Sequence, residues 1–301
     1  MNYKLETVIC NICGADDTHK VTDKGQHNLP LNVVLCKACG LGYLNPRWDA
    51  DGYLDFYKNQ YDNYYRPDIK KEKKVSTREN PILSRLKERN LLETDVKHIL
   101  DIGSGAGDNL LDLGQAFPNA KLNAIEPSQE SQVILKKNGI QVLSDDVNSN
   151  WDEALTEKFD VIIMRHVLEH FLDPLLALKR IRETLSDTGI LYIAVPNNLN
   201  PIQSLEKSWF RVVHTYYFNK YSLANILRLA GLEEIEIVEG DRHNNGEVFL
   251  MARRSKEIVK PNISQDHYAE QRVVFERVQK EQSSMIYGLK NKFSKVKRRF
   301  F

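Results

Sequence analysis

Two groups of residues in this 301-residue chain have the types and spacing that chemistry requires. The first is Cys10-Asn11-Ile12-Cys13-Gly14 and Cys36-Lys37-Ala38-Cys39-Gly40, two C-x-x-C-G knuckles separated by 22 residues. Two thiolates at that spacing can point at one ion, and the glycine lets backbone N–H groups approach the sulfurs. Four thiolates close a tetrahedral shell and leave no position for water, so Cys10, Cys13, Cys36 and Cys39 are expected to hold a structural Zn2+. His19 and His27, between the knuckles, are expected to be loop residues and not ligands. The second group is Asp101, Gly103, Gly105 and Gly107, followed by Glu126. The glycines allow a sharp turn and close approach of backbone to a ligand, and an acid about 20 residues on can accept ribose hydroxyls. A dinucleotide site requires G-x-G-x-x-G, but Asp108 stands at the third glycine position, and no G-K-[ST] follows to make a P-loop. An acid just before the turn repels a pyrophosphate and suits a ligand with a cationic end.

The elements around these residues alternate regularly. His98 to Glu126 reads as strand, glycine turn, helix, strand and acid. Strands are predicted near 98–102, 121–125, 140–143, 159–164, 189–195, 233–239 and 246–252, with helices near 107–116, 128–137, 174–185 and 222–230. Asp173-Pro174 supplies an N-cap and a first-turn proline, Gly189 stops the chain after that helix, and Ser222 and Gly231 bracket the last one. The final two strands, joined by a polar turn at 241–245, form an antiparallel hairpin. Upstream, Asp49 starts a short helix carrying Tyr53, Leu54, Phe56 and Tyr57. Residues 66–80, with Arg66-Pro67 and Asn80-Pro81, read as a linker or exposed helix, and Ile82 to Leu92 has helical periodicity.

The D-x-G-x-G-x-G pattern resembles motif I of class I S-adenosylmethionine (SAM) methyltransferases, whose ligand carries an ammonium and a sulfonium. His166, Glu169 and His170 lie in a run that resembles the H-x-x-E-H-x-x-x-P segment of small-molecule methyltransferases. The whole order, from C-x-x-C-G ribbon through the aromatic helix to H-x-x-E-H and H-x-Y-Y-F-x-x-x-S-L, resembles zinc-ribbon methyltransferases acting on sugars, over about residues 8–253. The resemblance implies an α/β, Rossmann-like seven-stranded class I methyltransferase with an N-terminal zinc ribbon and a C-terminal amphipathic basic helix. The domains are then 1–45 (ribbon), 46–95 (aromatic helical linker or substrate cap), 96–255 (SAM-binding domain) and 256–301 (helical basic tail). It also implies SAM-binding roles for Asp101, Gly103, Gly105, Gly107, Glu126, Asp146 and His166, with Asp146 at the adenine amino group. Catalytic candidates are His170, His214, Glu169 and His166, because a sugar hydroxyl is a poor nucleophile and histidine titrates near neutrality. Tyr57, Asn197, Tyr216 and Tyr217 are substrate-side candidates. The deoxysugar C-methyltransferases carry a large domain after the core, whereas only residues 256–301 follow here, which favours O-methylation of a sugar or glycan-linked small molecule. The rival readings are sugar C-methylation, RNA methylation and a non-catalytic zinc-ribbon assembly protein.

A net charge of +1 argues against a nucleic-acid-coating surface. The start, MNYKLETVIC, has no apolar signal region, and no apolar run approaches the roughly 20 residues that span a bilayer. A cytoplasmic location is therefore expected. From Ser264 on, Val274, Val278, Met285, Leu289, Phe293, Val296 and Phe300 form a helical stripe, and Lys290 to Arg299 are rich in base without any acid. Such a helix can meet a partner protein or the inner membrane face; an oligomer is compatible with the same pattern.

Overall fold

The computed structural model describes residues 3–65, 80–89, 95–146, 148–153, 155–240, 246–257 and 259–284. The N-terminal part of the chain forms β1 (Leu5–Glu6), β2 (Thr18–Thr22), β3 (Val33–Cys36), β4 (Gly42–Leu44), β5 (Arg47–Trp48), α1 (Ala50–Asn59), α2 (Tyr61–Tyr65) and α3 (Pro81–Glu88). The alternating core follows as β6 (His98–Ile102), α4 (Asp108–Ala116), β7 (Lys121–Ile125), α5 (Gln129–Lys137), β8 (Gln141–Ser144), β9 (Phe159–Arg165), α6 (Pro174–Thr184) and β10 (Leu185–Pro196). It closes with β11 (Tyr216–Tyr217), α7 (Lys220–Leu229), β12 (Leu232–Glu239), β13 (Glu247–Arg254) and α8 (Gln265–Ser283).

The main sheet has seven strands in the order β12-β13-β10-β9-β6-β7-β8. Its strands are parallel except β13, which runs antiparallel to both β10 and β12. The central strands bury Leu100, Ile102, Ile162, Met164, Leu191 and Ile193 completely, as expected where helices cover both faces of a parallel sheet. The order reverses around β6 and β9, so a crevice opens beyond their carboxyl ends, where doubly wound sheets bind ligands.

Local chemistry explains most helix starts. Asp49 accepts from Gly52 N, Asp173 from Leu176 N, and both begin helices as their sequences dictate. Four expectations need correction. Asn219, not Ser222, caps α7: its side chain accepts from Ser222 N while Ser222 Oγ accepts from Asn219 N, a capping box that starts the helix one turn earlier. Asn80-Pro81 is the N-cap and first position of α3, not linker. Gly189 lies inside β10, which begins directly after α6 and shifts register between Leu185 and Ile190. His19 belongs to β2 rather than to a loop, whereas His27, at φ +62°, lies in the connection between β2 and β3 as expected and packs on Tyr64 and Tyr65.

The ribbon is welded to the core. Its sheet, β11-β4-β3-β2, takes its fourth strand from the segment between β10 and α7, with Tyr216 opposite Tyr43 and Tyr217 opposite Gly42. Both tyrosines are buried, Tyr216 stacks on Tyr43, and their hydroxyls reach Leu172 O and the Arg211 backbone. α8 crosses the other side of the ribbon and buries Val274, Phe275 and Val278 among Leu29, Leu31, Leu35 and Phe210. The beginning of the expected apolar stripe is therefore covered by the chain's own core, and the stripe from Met285 onward, the basic tail and the 241–245 turn lie outside the described residues. No described helix is long and apolar enough to cross a membrane.

Truncating Phe275 to alanine should therefore loosen the ribbon as well as the helix. We expect a loss of about 3–5 kcal/mol by denaturant unfolding, against less than about 0.5 kcal/mol for Val273→Ala on the exposed face of α8.

Candidate active site

The glycine turn follows β6 and leads into α4. Gly103, Gly105 and Gly107 all have positive φ (+72°, +57° and +89°), and Gly107 is the N-cap of α4. A Cβ on Gly103 would meet Val167 Cγ2 at 2.4 Å, whereas one on Gly105 would enter open space. Gly105 is thus a place where only backbone faces the crevice. Glu126, at the end of β7 and 1% exposed, accepts from Gly105 N at 2.8 Å and from Ser128 N at 2.9 Å, which fixes the turn. Asp101 is buried beneath the turn and accepts from Asn109 Nδ2 at 3.3 Å; Asn109 in turn accepts from Asn80, the cap of α3. Burial, with the Glu126 charge nearby, pushes Asp101 up to about 7. Asp146, after β8, is half-buried and caps its own turn through Asn148 N.

The loop after β9 carries the charged groups. His166 has a positive φ (+57°), unusual for a residue with a Cβ. Its Nε2 lies 2.7 Å from Glu247 Oε1, and its Nδ1 lies 3.6 Å from Glu169 Oε1. Burial disfavours the charged ring, but the two acids prevail and raise it to about 9, so His166 is a cation. His170 behaves oppositely. Burial pushes it down, its Nδ1 meets Tyr57 Oη at 2.9 Å, and its ring stands edge-on to His214 with centroids 4.8 Å apart. Burial, then His170 and Arg211, push His214 well below the ordinary histidine value. Tyr57, Tyr61 and Tyr65 stack in sequence along α1 and α2 as an aromatic wall beside this pair.

Some candidates stand elsewhere. Tyr216 and Tyr217 belong to the ribbon sheet, as described above, and hold it together with both hydroxyls engaged. Asn197 is buried, donating to Glu239 and accepting from Leu199 N, so it shapes the loop after β10. Sequence reasoning missed Glu247, which faces His166 from the first position of β13, and Thr215, whose hydroxyl donates to Glu169 O and Phe171 O. Neither carries a local motif; only the packing of distant segments reveals them.

The cysteines converge behind β4. The four Sγ atoms lie within 4.8 Å of one another, with Cys10–Cys39 at 3.5 Å and Cys13–Cys36 at 3.4 Å. These separations are too long for disulfides, and all four are free thiols. Gly14 N donates to Cys10 O and Gly40 N to Cys36 O, so the two knuckles share one backbone plan. Hydrogen bonds from Cys10 and Cys39 draw the Cys36 thiol far below its usual value.

A seven-stranded sheet of this order with an acid-flanked glycine turn defines a class I methyltransferase fold. The methyltransferase-domain family matches residues 75–237, more than half of the chain, and the chain belongs to that family. It is similar to the ubiquinone biosynthesis O-methyltransferases of Haemophilus ducreyi (29% identical over 110 residues) and Actinobacillus pleuropneumoniae (30% over 110 residues). Each match covers 34% of this chain and 46% of the relative, so the chain spans just under half the length of these proteins. Similar solved structures include an S-adenosylmethionine-dependent methyltransferase from Clostridium acetobutylicum, at 15% identity and TM-score 0.47 over 68% of this chain and 99% of that one. Another is the CcbJ methyltransferase from Streptomyces caelestis, at 13% identity and TM-score 0.48 over 66% and 98%.

The Asp101 environment has a measurable signature. Its folded value, about 7, lies above the roughly 4 of an unfolded aspartate. The folded state therefore holds the proton longer, and stability falls as pH rises from about 4 to about 7. Asp101→Asn should remove that slope and raise the melting temperature above pH 7, measured by thermal denaturation across pH.

Proposed function

We propose that this chain transfers a methyl group from SAM to a hydroxyl of a sugar or glycan-linked small molecule, with the His170–His214 pair receiving the hydroxyl proton. The observation that carries this reading is convergence: Tyr57, His170 and His214 come from three separate stretches and meet at one place, with His170 on the loop that follows the carboxyl end of β9. SAM, when bound, supplies an electrophilic methyl on a sulfonium. The backbone at Gly103–Gly107 and the acids Asp101 and Glu126 suit its cationic and ribose portions, and the open space above Gly105 is a cradle that a Cβ would fill. Asp146 and His166 stand on the same rim of the sheet. The acceptor must be held in line with the methyl and must lose its proton. A neutral imidazole carries a lone pair on one ring nitrogen, and the Tyr57 hydroxyl at Nδ1 fixes the His170 ring. The tyrosine wall offers flat apolar faces with hydroxyls to a sugar ring. That the curated relatives are named O-methyltransferases supports oxygen as the atom methylated.

His170→Ala and His214→Ala should each slow transfer by about 10²–10⁴-fold, with SAM affinity unchanged by calorimetry. The acceptor is found first by screening nucleotide sugars and glycan extracts with labelled SAM. Because burial lowers both histidines, the wild-type rate should hold as pH falls through the ordinary histidine range and decline only below it. Near-normal turnover in both variants removes the histidine base.

We further propose that the four cysteines hold a structural Zn2+. Sulfurs about 2.3 Å from zinc form a tetrahedron with edges of about 3.8 Å, close to the spacing seen here. Elemental analysis should give one zinc per chain at this cluster, and a strong chelator should lower the melting temperature. Cys39→Ser should lose both the metal and the chelator effect.

A further inference from the structure

One buried carboxylate beside the histidine pair has an ion-pair partner but no hydrogen bond. Glu169 is 1% exposed, yet neither of its carboxylate oxygens has a hydrogen-bond partner. The His166 ring is the neighbouring charge, at 3.6 Å, which is ion-pair distance but beyond a normal hydrogen bond. The charged His166 ring pairs with this carboxylate at ion-pair distance but leaves both oxygens without a hydrogen bond, and a coordinating cation would complete them.

His170 and His214 complete a donor set around it. One ligand atom from each of Glu169, His170 and His214 lies within 4.8 Å of the others, the second such cluster among the described residues after the four cysteines. Two imidazoles and one carboxylate are the ligands of open, three-donor zinc sites. At bond lengths near 2.0–2.2 Å the donors would stand about 3.4 Å apart, a contraction that small side-chain rotations supply. The backbone is already arranged for it. Thr215, next to His214, donates its hydroxyl to both Glu169 O and Phe171 O, pinning the two stretches that carry the donors to each other.

We propose that Glu169, His170 and His214 form a divalent-metal site for an ion of the zinc class, separate from the cysteine cluster. Three protein donors leave coordination positions open to water. The ion takes the lone pairs of both histidines and thereby blocks proton removal from the acceptor. This inhibitory consequence rests on the reading of the histidines as the base; the binding itself does not.

The test uses the full chain with zinc already at the cysteines, titrated with Co2+ and followed by visible absorption. One saturable Co2+ per chain is expected, with the weak d–d bands of nitrogen and oxygen ligands and no thiolate charge transfer. Glu169→Gln and His214→Gln should each weaken it by at least about tenfold, in protein that still binds SAM. Lack of saturable binding by the wild-type chain up to about 1 mM, equal affinity in both variants, or a thiolate band overturns the site. Methyl transfer measured in parallel separates the two readings. Saturating Co2+ with undiminished turnover keeps the site and removes the base, whereas absent Co2+ binding with inactive His170→Ala keeps the base and removes the site.

Discussion

Two backbone pairs, Tyr216 with Tyr43 and Tyr217 with Gly42, hold the pocket together. This short ladder joins a segment inserted between β10 and α7 to a ribbon built from the first 44 residues. His214 lies two residues before the ladder, and Tyr57 follows the ribbon on α1, so neither reaches His170 without it. Packing reinforces the join: Tyr216 stacks on Tyr43, and Arg47 Nη1 donates to the Tyr216 hydroxyl at 3.4 Å. Methyltransferase sheet and ribbon are consequently one body, with a continuous apolar core running from Cys36 and Cys39 to Phe218 and Leu223.

Within that body, burial sets charges in opposite directions a few residues apart. Asp101 is held up, His166 is kept charged by two acids, and His170 and His214 are kept neutral. Environments that drive neighbouring groups apart in this way divide labour between them. The cation at His166 anchors the loop to Glu247 on β13, and the neutral pair faces the aromatic wall.

Much of the fold was legible because its signals are local. The glycine turn, the acid at 126, Asp49 and Asp173 as caps and the strand pattern all depend on residues within one or two turns of each other. The antiparallel pairing of the last two strands follows from the same periodicity. What escaped depends on distant partners. Ser222 looks like a cap, but it is the fourth residue of a box whose first member, Asn219, also bonds Gln271 on α8. Tyr216 and Tyr217 resemble a substrate wall in sequence; a two-residue strand exists only through its tertiary partner. Glu247 sits at a strand start with no motif around it, so nothing local marks its contact with His166. His166, Glu169 and His170 stand out as chemistry-bearing residues in sequence, but their opposite electrostatic states follow from burial.

The route of the chain through the ribbon bears on how the protein is made. Gln279 on α8 bonds Val21 O across 258 residues, and the ribbon's last strand comes from beyond residue 215. Such non-local closure is slow to form. During synthesis the first 44 residues therefore emerge well before the strand and helix that cover them. A metal captured early by the cysteines, if they hold one as proposed, would organise that waiting segment before its cover arrives.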